Sequence, residues 1–546
     1  MHKPRGAGLS PRGTLVPRFA APVVAVLLFS LAGLAFIRKT GIHFDAAYEL
    51  AAFYPCSTPA FRPTILGHPF PLMVIQYLGA FKAWLYLPIL QYLEVTPVTL
   101  RLPLLITGAL SVWLSFAILD RIGGRRAAIA GSLLLATDAT FVIASTYDFG
   151  PIVFLHFFLL AGILLLLRFN RTGKARDLAL AFLLFGLALW HKALFIWMFD
   201  GLSAAGLILF HKRILALFSW KRLAVAGVSM CIGAFPLIYY NAVTHGATLH
   251  PEKVMSGNAP LSQKLLVLRK TLNGSVLFAW LTDYTPNNEL PPHHLGSRIS
   301  VRLSRWITVR SNWMLYAFLA SCCLMPWLWF TPARTPSLFV LIYLLVTWGQ
   351  MAILPNAGGT LHHVILLWPF PHFLIALAGA QLSYGLGRYG APATAAALIA
   401  IIGCNLLLVN QYYADLVTDG TTVIWTDAIY PLYEYLDENF GPRIVTTDWG
   451  YSATLCLLSD GELPLVDISY AMLDPSEKKD QWVLSLIANR RTLFVGHTSG
   501  GEQFAGVQER VAAVAARAGY TKQVVKIIAD RNRRPRFEIA RYVAGQ

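Results

Sequence analysis

The sequence predicts a mainly α protein: a polytopic transmembrane helix bundle of about eleven spans, followed by a small C-terminal extracytoplasmic α/β domain. Three observations lead there. Of the 546 residues, 56% are hydrophobic and 13% charged, against roughly 25% charged in a soluble protein. The apolar residues gather into runs that cross or nearly cross a bilayer at about 1.5 Å per residue. Beyond Gln411 charged residues return, and helix-like stretches alternate with short apolar runs.

Taken in order, Lys3, Arg5, Arg12 and Arg18 precede an apolar run over 19–37. That run is longer than a signal-peptide core and about long enough to span, so it is read as an uncleaved first span behind a disordered cytoplasmic segment 1–18. The later spans fall at 102–119, 127–144, 152–167, 178–190, 193–210, 223–240, 313–330, 338–354, 364–382 and 391–409. Segment 178–210 is short for two crossings, so its helices are short or broken at His191–Lys192. Segment 71–93 is apolar enough to span, but Lys82 sits at its centre and a crossing would move Arg121, Arg125 and Arg126 outside; it is placed flat on the outer surface. The long outer loop 241–312 holds two apolar–basic stretches, 261–283 and 297–310, expected to lie in the interface. In the C-terminal part, helices are expected at 426–439, 478–489 and 506–518, strands at 443–447 and 492–495, and a hairpin at 524–529 and 537–543 around a polar turn. The domains are therefore 1–18, 19–410 and 411–546.

The net charge of +17 belongs to the loops, not to a nucleic-acid surface. Arg121, Arg125, Arg126, Arg168, Arg171, Lys174, Arg176, Lys212, Arg213, Lys221, Arg222, Arg334 and Arg388 all fall on the side of the basic N-terminus. Short cytoplasmic loops carry such an excess, which predicts a cytoplasmic N-terminus, an extracytoplasmic C-terminal domain and membrane lipids as partners, with no nucleic acid. Neither a P-loop nor GxGxxG is present. Four of the six cysteines lie in apolar runs; nothing brings the other two, Cys56 and Cys456, together, so free thiols are the expectation.

The chemistry gathers on the outer side. The first outer loop reads Gly41-Ile-His-Phe-Asp45-Ala-Ala-Tyr-Glu49; on a helix Asp45 and Glu49 share a face and suit a base and its electrostatic partner. Asp148 follows at the next outer turn. Asp138 lies within a span, where a carboxylate is costly and usually faces a cavity. His362 and His363 could hold a divalent metal with His43 or His68 by residue type, though the spacing gives no support; no cofactor is assigned.

The loop continues as Leu66-Gly-His68-Pro69-Phe-Pro71-Leu72, and Arg101-Leu-Pro103 opens the second span. Thr137-Asp138-Ala-Thr-Phe141, Tyr147-Asp148-Phe-Gly-Pro151, Trp190-His-Lys192 and Gly359-Thr-Leu-His362-His363 with Trp368-Pro369 come after. This order resembles the GT-C glycosyltransferases, more narrowly the dolichyl-phosphate-mannose protein mannosyltransferases and the bacterial lipid A aminoarabinose transferases, over about 19–409. The chain departs from the family in carrying Ala46 after Asp45, where a Glu is common, and in splitting the usual prolines by Phe70. The resemblance implies an inverting transferase of the cytoplasmic membrane. It would move a sugar from a polyprenyl-phosphate donor to the hydroxyl of a lipid-linked, glycan or protein acceptor at the outer face. Asp45 would be the base, with Glu49 and Asp148 as further catalytic candidates. Lys82, Arg101, His362 and His363 would face the donor phosphate, and His68, Asp138 and Lys192 would be further substrate contacts. The alternative is a transporter or flippase of lipid-linked sugars; the absence of an internal repeat and the gathering of acidic residues at one surface argue against it.

Overall fold

The computed structural model describes residues 20–250, 258–284, 289–355, 357–439, 441–474 and 476–545. The segment 1–18, expected to be disordered, lies outside the described residues.

The chain opens with α1 (Ala20–Phe36) and the short α2 (Phe44–Leu50). Two small hairpins follow, β1 (Thr64–Ile65) with β2 (His68–Pro69) and β3 (Met73–Ile75) with β4 (Leu78–Gly79), then α3 (Phe81–Leu90). This corrects the surface helix expected over 71–93. Gly79 backs so closely on Trp190 that an added Cβ would meet the Trp190 carbonyl at 2.0 Å; this contact pins β4 against the bundle, and α3 enters it with Lys82 buried.

The bundle proper runs through α4 (Pro97–Ile122), α5 (Gly124–Thr137), α6 (Ala139–Tyr147), α7 (Val153–Thr172), α8 (Ala175–His191), α9 (Phe195–Leu217), α10 (Trp220–Gly233) and α11 (Phe235–Val243). Thr96 and Thr99 close a reciprocal cap at the start of α4, with Pro97 in the first turn. α5 and α6 form one apolar helix bent by 60° at Asp138, and α9 meets α10 at 119°. Gly186 of α8 and Gly233 of α10 bring their backbones into contact: a Cβ on Gly186 would lie 2.2 Å from the Met230 carbonyl. The outer loop supplies α12 (Leu261–Leu272) and α13 (Leu295–Trp306). Then come α14 (Met314–Cys323), α15 (Met325–Leu328), α16 (Arg334–Ile353), α17 (Leu361–Val364), α18 (Phe370–Gly385) and α19 (Gly390–Thr418). α19 passes residue 410 and stops only before Gly420, which has a positive φ; the expected boundary at 411 therefore falls inside a helix.

Every expected span lands on a helix or a broken helix. Among the described residues, five helices are long and apolar enough to cross a membrane alone, and up to seven if each bent pair is one span. The expected eleven counts α9 and α10 separately and includes helices such as α1, whose 17 residues make it a short one.

After α19, α20 (Ile429–Asn439), β5 (Ile444–Thr446), α21 (Ser452–Leu458), β6 (Leu465–Asp467), α22 (Ser469–Leu473), α23 (Glu477–Ile487), β7 (Leu493–His497), α24 (Val507–Arg517), β8 (Tyr520–Ala529) and β9 (Pro535–Ala544) build one sheet. Its order is β6-β5-β7-β9-β8, parallel from β6 to β7 and antiparallel beyond. The expected hairpin is β8–β9.

This part is tied to the first outer loop. The Gly41 N–H donates to the Trp425 carbonyl at 2.8 Å, the Tyr54 hydroxyl donates to Asp460 at 2.9 Å, and Cys56 forms a disulfide with Cys456. The expectation of free thiols was wrong: packing α2 against α21 brings together two residues 400 apart in sequence, and no local pattern announces that. At the other end, the β8–β9 turn inserts Arg534 and Arg536 between Asp530 and Asp283 of the outer loop, at 2.8 to 3.3 Å.

Candidate active site

The site forms where α2, α3 and the α6–α7 turn meet under the C-terminal part. His43 caps α2, its Nδ1 accepting the Asp45 N–H at 3.1 Å. That role requires an unprotonated Nδ1, and burial holds His43 below its ordinary pKa. The helix then places Asp45 at the mouth and Glu49 one turn deeper: the Asp45 side chain keeps 29% of its exposure, whereas that of Glu49 is fully buried.

Asp148 closes α6 in the left-handed conformation, φ 50°, which aspartate tolerates better than most residues. The turn aims its carboxylate inward, where Oδ1 accepts the N–H groups of Ile152 at 3.0 Å and Val153 at 3.1 Å at the start of α7. Lys82 reaches in from α3, its Nζ 2.7 Å from Asp148 and 3.2 Å from Glu49. One ammonium thus faces two buried carboxylates. Burial raises Asp148, but Lys82 overrides it and holds this carboxyl below the usual range. Glu49 loses that competition, and burial pushes it up to about 8. The Lys82 ammonium, pulled down by burial, is raised on balance by Asp148 and Glu49.

A second ammonium feels the same carboxylates. Lys192, just past the end of α8, donates to the Gly150 carbonyl at 2.5 Å. Burial depresses it to about 8, with Asp45, Glu49 and Asp148 pulling the other way. A small cavity beneath α2 is lined by Ile42, His43, Ala46, Lys82, Arg101 and Tyr147.

Aromatic rings wall the mouth. His43 stacks on Trp425 at 4.3 Å, Phe149 meets Trp280 at 3.9 Å, and Trp280 meets Trp425 at 5.0 Å. His362 lies 5.3 Å from Phe149, and Trp449 lies 4.9 Å from Phe44. Trp449 is held in turn by its neighbour. Asp448, fully buried, accepts the N–H groups of Trp449, Gln503 and Phe504 at 2.8 to 2.9 Å and pairs with His497 at 2.6 Å.

The sequence-derived candidates divide accordingly. Asp45, Glu49, Asp148, Lys82 and Lys192 come together, with His362 at the rim. Lys82 enters as the partner of two carboxylates, not as a free cation. Arg101 lines the same cavity, and its guanidinium donates to the Ile37, Thr40 and Gly41 carbonyls and to the Thr40 hydroxyl, fixing the chain between α1 and α2. Asp138 caps α6 through the Phe141 N–H at 2.7 Å and pairs with His372 at 3.2 Å, so its cost of burial is met inside the bundle. His363 is buried, its Nδ1 accepting the Gly358 N–H at 3.1 Å. His68 is exposed on the β1–β2 hairpin. No group of three or more His, Cys, Asp or Glu side chains set to share a metal is found among the described residues. The residues missed are Phe149, Trp280, Trp425, Trp449 and the Asp448–His497 pair; only Trp449, set in the polar stretch Thr446-Thr447-Asp448-Trp449, stood out in the sequence.

A family model for dolichyl-phosphate-mannose-protein mannosyltransferases matches residues 78–240, from β4 to α11. No curated protein sequence matches the chain. Among solved structures, ArnT from Cupriavidus metallidurans bound to undecaprenyl phosphate superposes with a TM-score of 0.59 at 11% identity, over 96% of this chain and 98% of ArnT. This is the GT-C fold. The oligosaccharyltransferase of Archaeoglobus fulgidus shares it: the form tethered to an acceptor peptide gives a TM-score of 0.53 at 12% identity, over 89% of this chain and 70% of that one. The complex of that protein with an inhibitory peptide and a dolichol-phosphate gives 0.51 at 12% identity, over 88% and 70%.

Proposed function

We propose that the chain is an inverting glycosyltransferase of the cytoplasmic membrane, moving a sugar from a polyprenyl-phosphate donor to an acceptor hydroxyl at the outer face. The observation that carries this reading is the division of labour among three carboxylates. Glu49 and Asp148 are buried and engaged with Lys82, whereas Asp45 alone is open to an incoming acceptor. A general base must come within about 2.6–3.2 Å of the proton it takes, and the exposure of the Asp45 side chain supports giving it that role.

In the reaction, the Asp45 carboxylate takes the acceptor's hydroxyl proton as that oxygen attacks the anomeric carbon. The new C–O bond forms on the face opposite the breaking bond, and polyprenyl phosphate leaves with the electron pair. Negative charge develops on the phosphate, which cations stabilise; Lys192 and Lys82 supply it, and His362 adds a ring nitrogen at the rim. Support comes also from the two fold relatives that hold polyprenyl phosphates, ArnT with undecaprenyl phosphate and the archaeal enzyme with dolichol-phosphate.

Asp45→Asn keeps the shape and removes the base. General-base assistance is worth about 100- to 10,000-fold, so turnover with a polyprenyl-phosphate sugar should fall at least about 100-fold while donor binding persists. Near-normal turnover in a folded variant would overturn the assignment. A dead Asp148→Asn with an active Asp45→Asn would move the base to Asp148.

A further inference from the structure

Helices α12 and α13 belong to the same outer loop, and each rests on the end of a long apolar helix. Lys264 of α12 is buried and donates to the carbonyls of Met351, Ala352 and Leu354 at 2.6 to 3.1 Å, where α16 ends. α16 is 20 residues long and begins at Arg334, so its ends lie about 30 Å apart, the thickness of a bilayer's hydrocarbon core. α13 turns Ser297, Ser300 and Ser304 inward. Ser297 meets the Tyr413 hydroxyl at 3.0 Å, and the Ser300 carbonyl accepts from Asn410 at 3.1 Å. Asn410 lies about 30 Å along α19 from its start at Gly390, next to Arg388. Two independent contacts therefore set α12 and α13 at one depth, the headgroup level opposite the basic loops.

Their outward faces suit that depth. On α13, Leu295, Ile299 and Trp306 are 74%, 59% and 74% exposed, interleaved with Arg298, Arg302 and Arg305. Arg302 lies over the Trp306 ring at 5.2 Å, and exposed Glu289 is 3.6 Å from Arg305. On α12, exposed Leu261, Leu265 and Leu266 stand with Arg269 and Lys270. Neither helix contains an acidic residue. Bulk water disfavours the leucines, isoleucine and tryptophan, and hydrocarbon disfavours the arginines; the bilayer interface accepts both.

We propose that α12 and α13 form a docking shelf for anionic phospholipid headgroups in the outer leaflet. The proposal uses the membrane-spanning architecture and does not depend on sugar transfer. The apolar side chains enter the acyl boundary and the guanidinium groups hold phosphates. The loop after α12 leads through Gly274 to Trp280, so the shelf is joined to the wall of the active site.

The test replaces Ile299 with a photoreactive benzoylphenylalanine in the full chain, placed in nanodiscs of equimolar phosphatidylglycerol and phosphatidylcholine. Irradiation and mass spectrometry read which lipid is captured. Lipid adducts are expected, with phosphatidylglycerol enriched about fivefold over its bulk share. Combined Arg298→Gln, Arg302→Gln and Arg305→Gln should return capture to the bulk ratio, and the matching Lys variant should keep the enrichment. Absence of lipid adducts, a bulk ratio in the parent, or an enrichment that survives the Gln variant would each overturn the proposal. So would capture dominated by undecaprenyl phosphate added as a minor component, since the shelf would then be a donor site.

Discussion

Lys192 combines two properties that a donor-binding cation needs, the pull of the nearby carboxylates and, among the described residues, no hydrogen-bonded carboxylate of its own. Its described hydrogen bond goes to a carbonyl, that of Gly150. Burial depresses its pKa to about 8, so its charge is present below pH 8 and lost as pH rises through that value. Donor affinity should weaken on the alkaline side accordingly. Lys192→Arg carries a group that stays charged throughout, so the donor KM measured from pH 6 to 10 should lose its alkaline rise. An unchanged rise would exclude Lys192 from phosphate binding. At this scale the sequence named most of the polar cluster but not its partners. Lys82 and Arg101 were expected to face the donor phosphate, and their carboxylate and carbonyl partners were not legible, because a sequence shows charge and side, not contacts. The carbonyls that occupy Arg101 are separated from it by 60 to 64 residues.

Among the elements, long apolar runs were legible because hydropathy over a span of residues averages out local accident. Short pieces were not: β6 has three residues and α22 five, too few for any periodicity to emerge. The same limit hid the loop ends that shape the site's mouth. Asp448 stands just after β5 and gathers the end of β7 and the loop before α24 onto one carboxylate. Trp449 is thereby held against Phe44, one residue from Asp45. Asp448→Ala leaves two backbone N–H groups of that loop unsatisfied and frees the tryptophan. An acceptor KM raised about tenfold, with donor KM unaltered, is the expected kinetic signature. Equal changes in both would mark a general loss of folding instead.

For the whole molecule, the proposed orientation rests on the basic loops and is open to direct measurement. Alkaline phosphatase, active only outside the cytoplasm, should be active when fused after Gln546 and inactive when fused after Arg388; the reverse pattern would invert the topology. The sequence made the bundle and the sheet-bearing part visible but treated them as separable, whereas Trp425 and Trp449 of the latter complete the wall around His43 and Phe44. Composition separates segments by solvent and says nothing about which surfaces they share. The Cys56–Cys456 bond carries a consequence for biogenesis. At about 5–20 residues per second, the 400 residues between its ends take on the order of 20–80 s to synthesise. The first thiol must wait outside the membrane for that interval, yet the other four cysteines, Cys231, Cys322, Cys323 and Cys404, all fall in apolar helical runs. On the proposed topology no rival thiol from its own chain reaches the oxidising side, so the nascent protein has one pairing to make and none to unscramble.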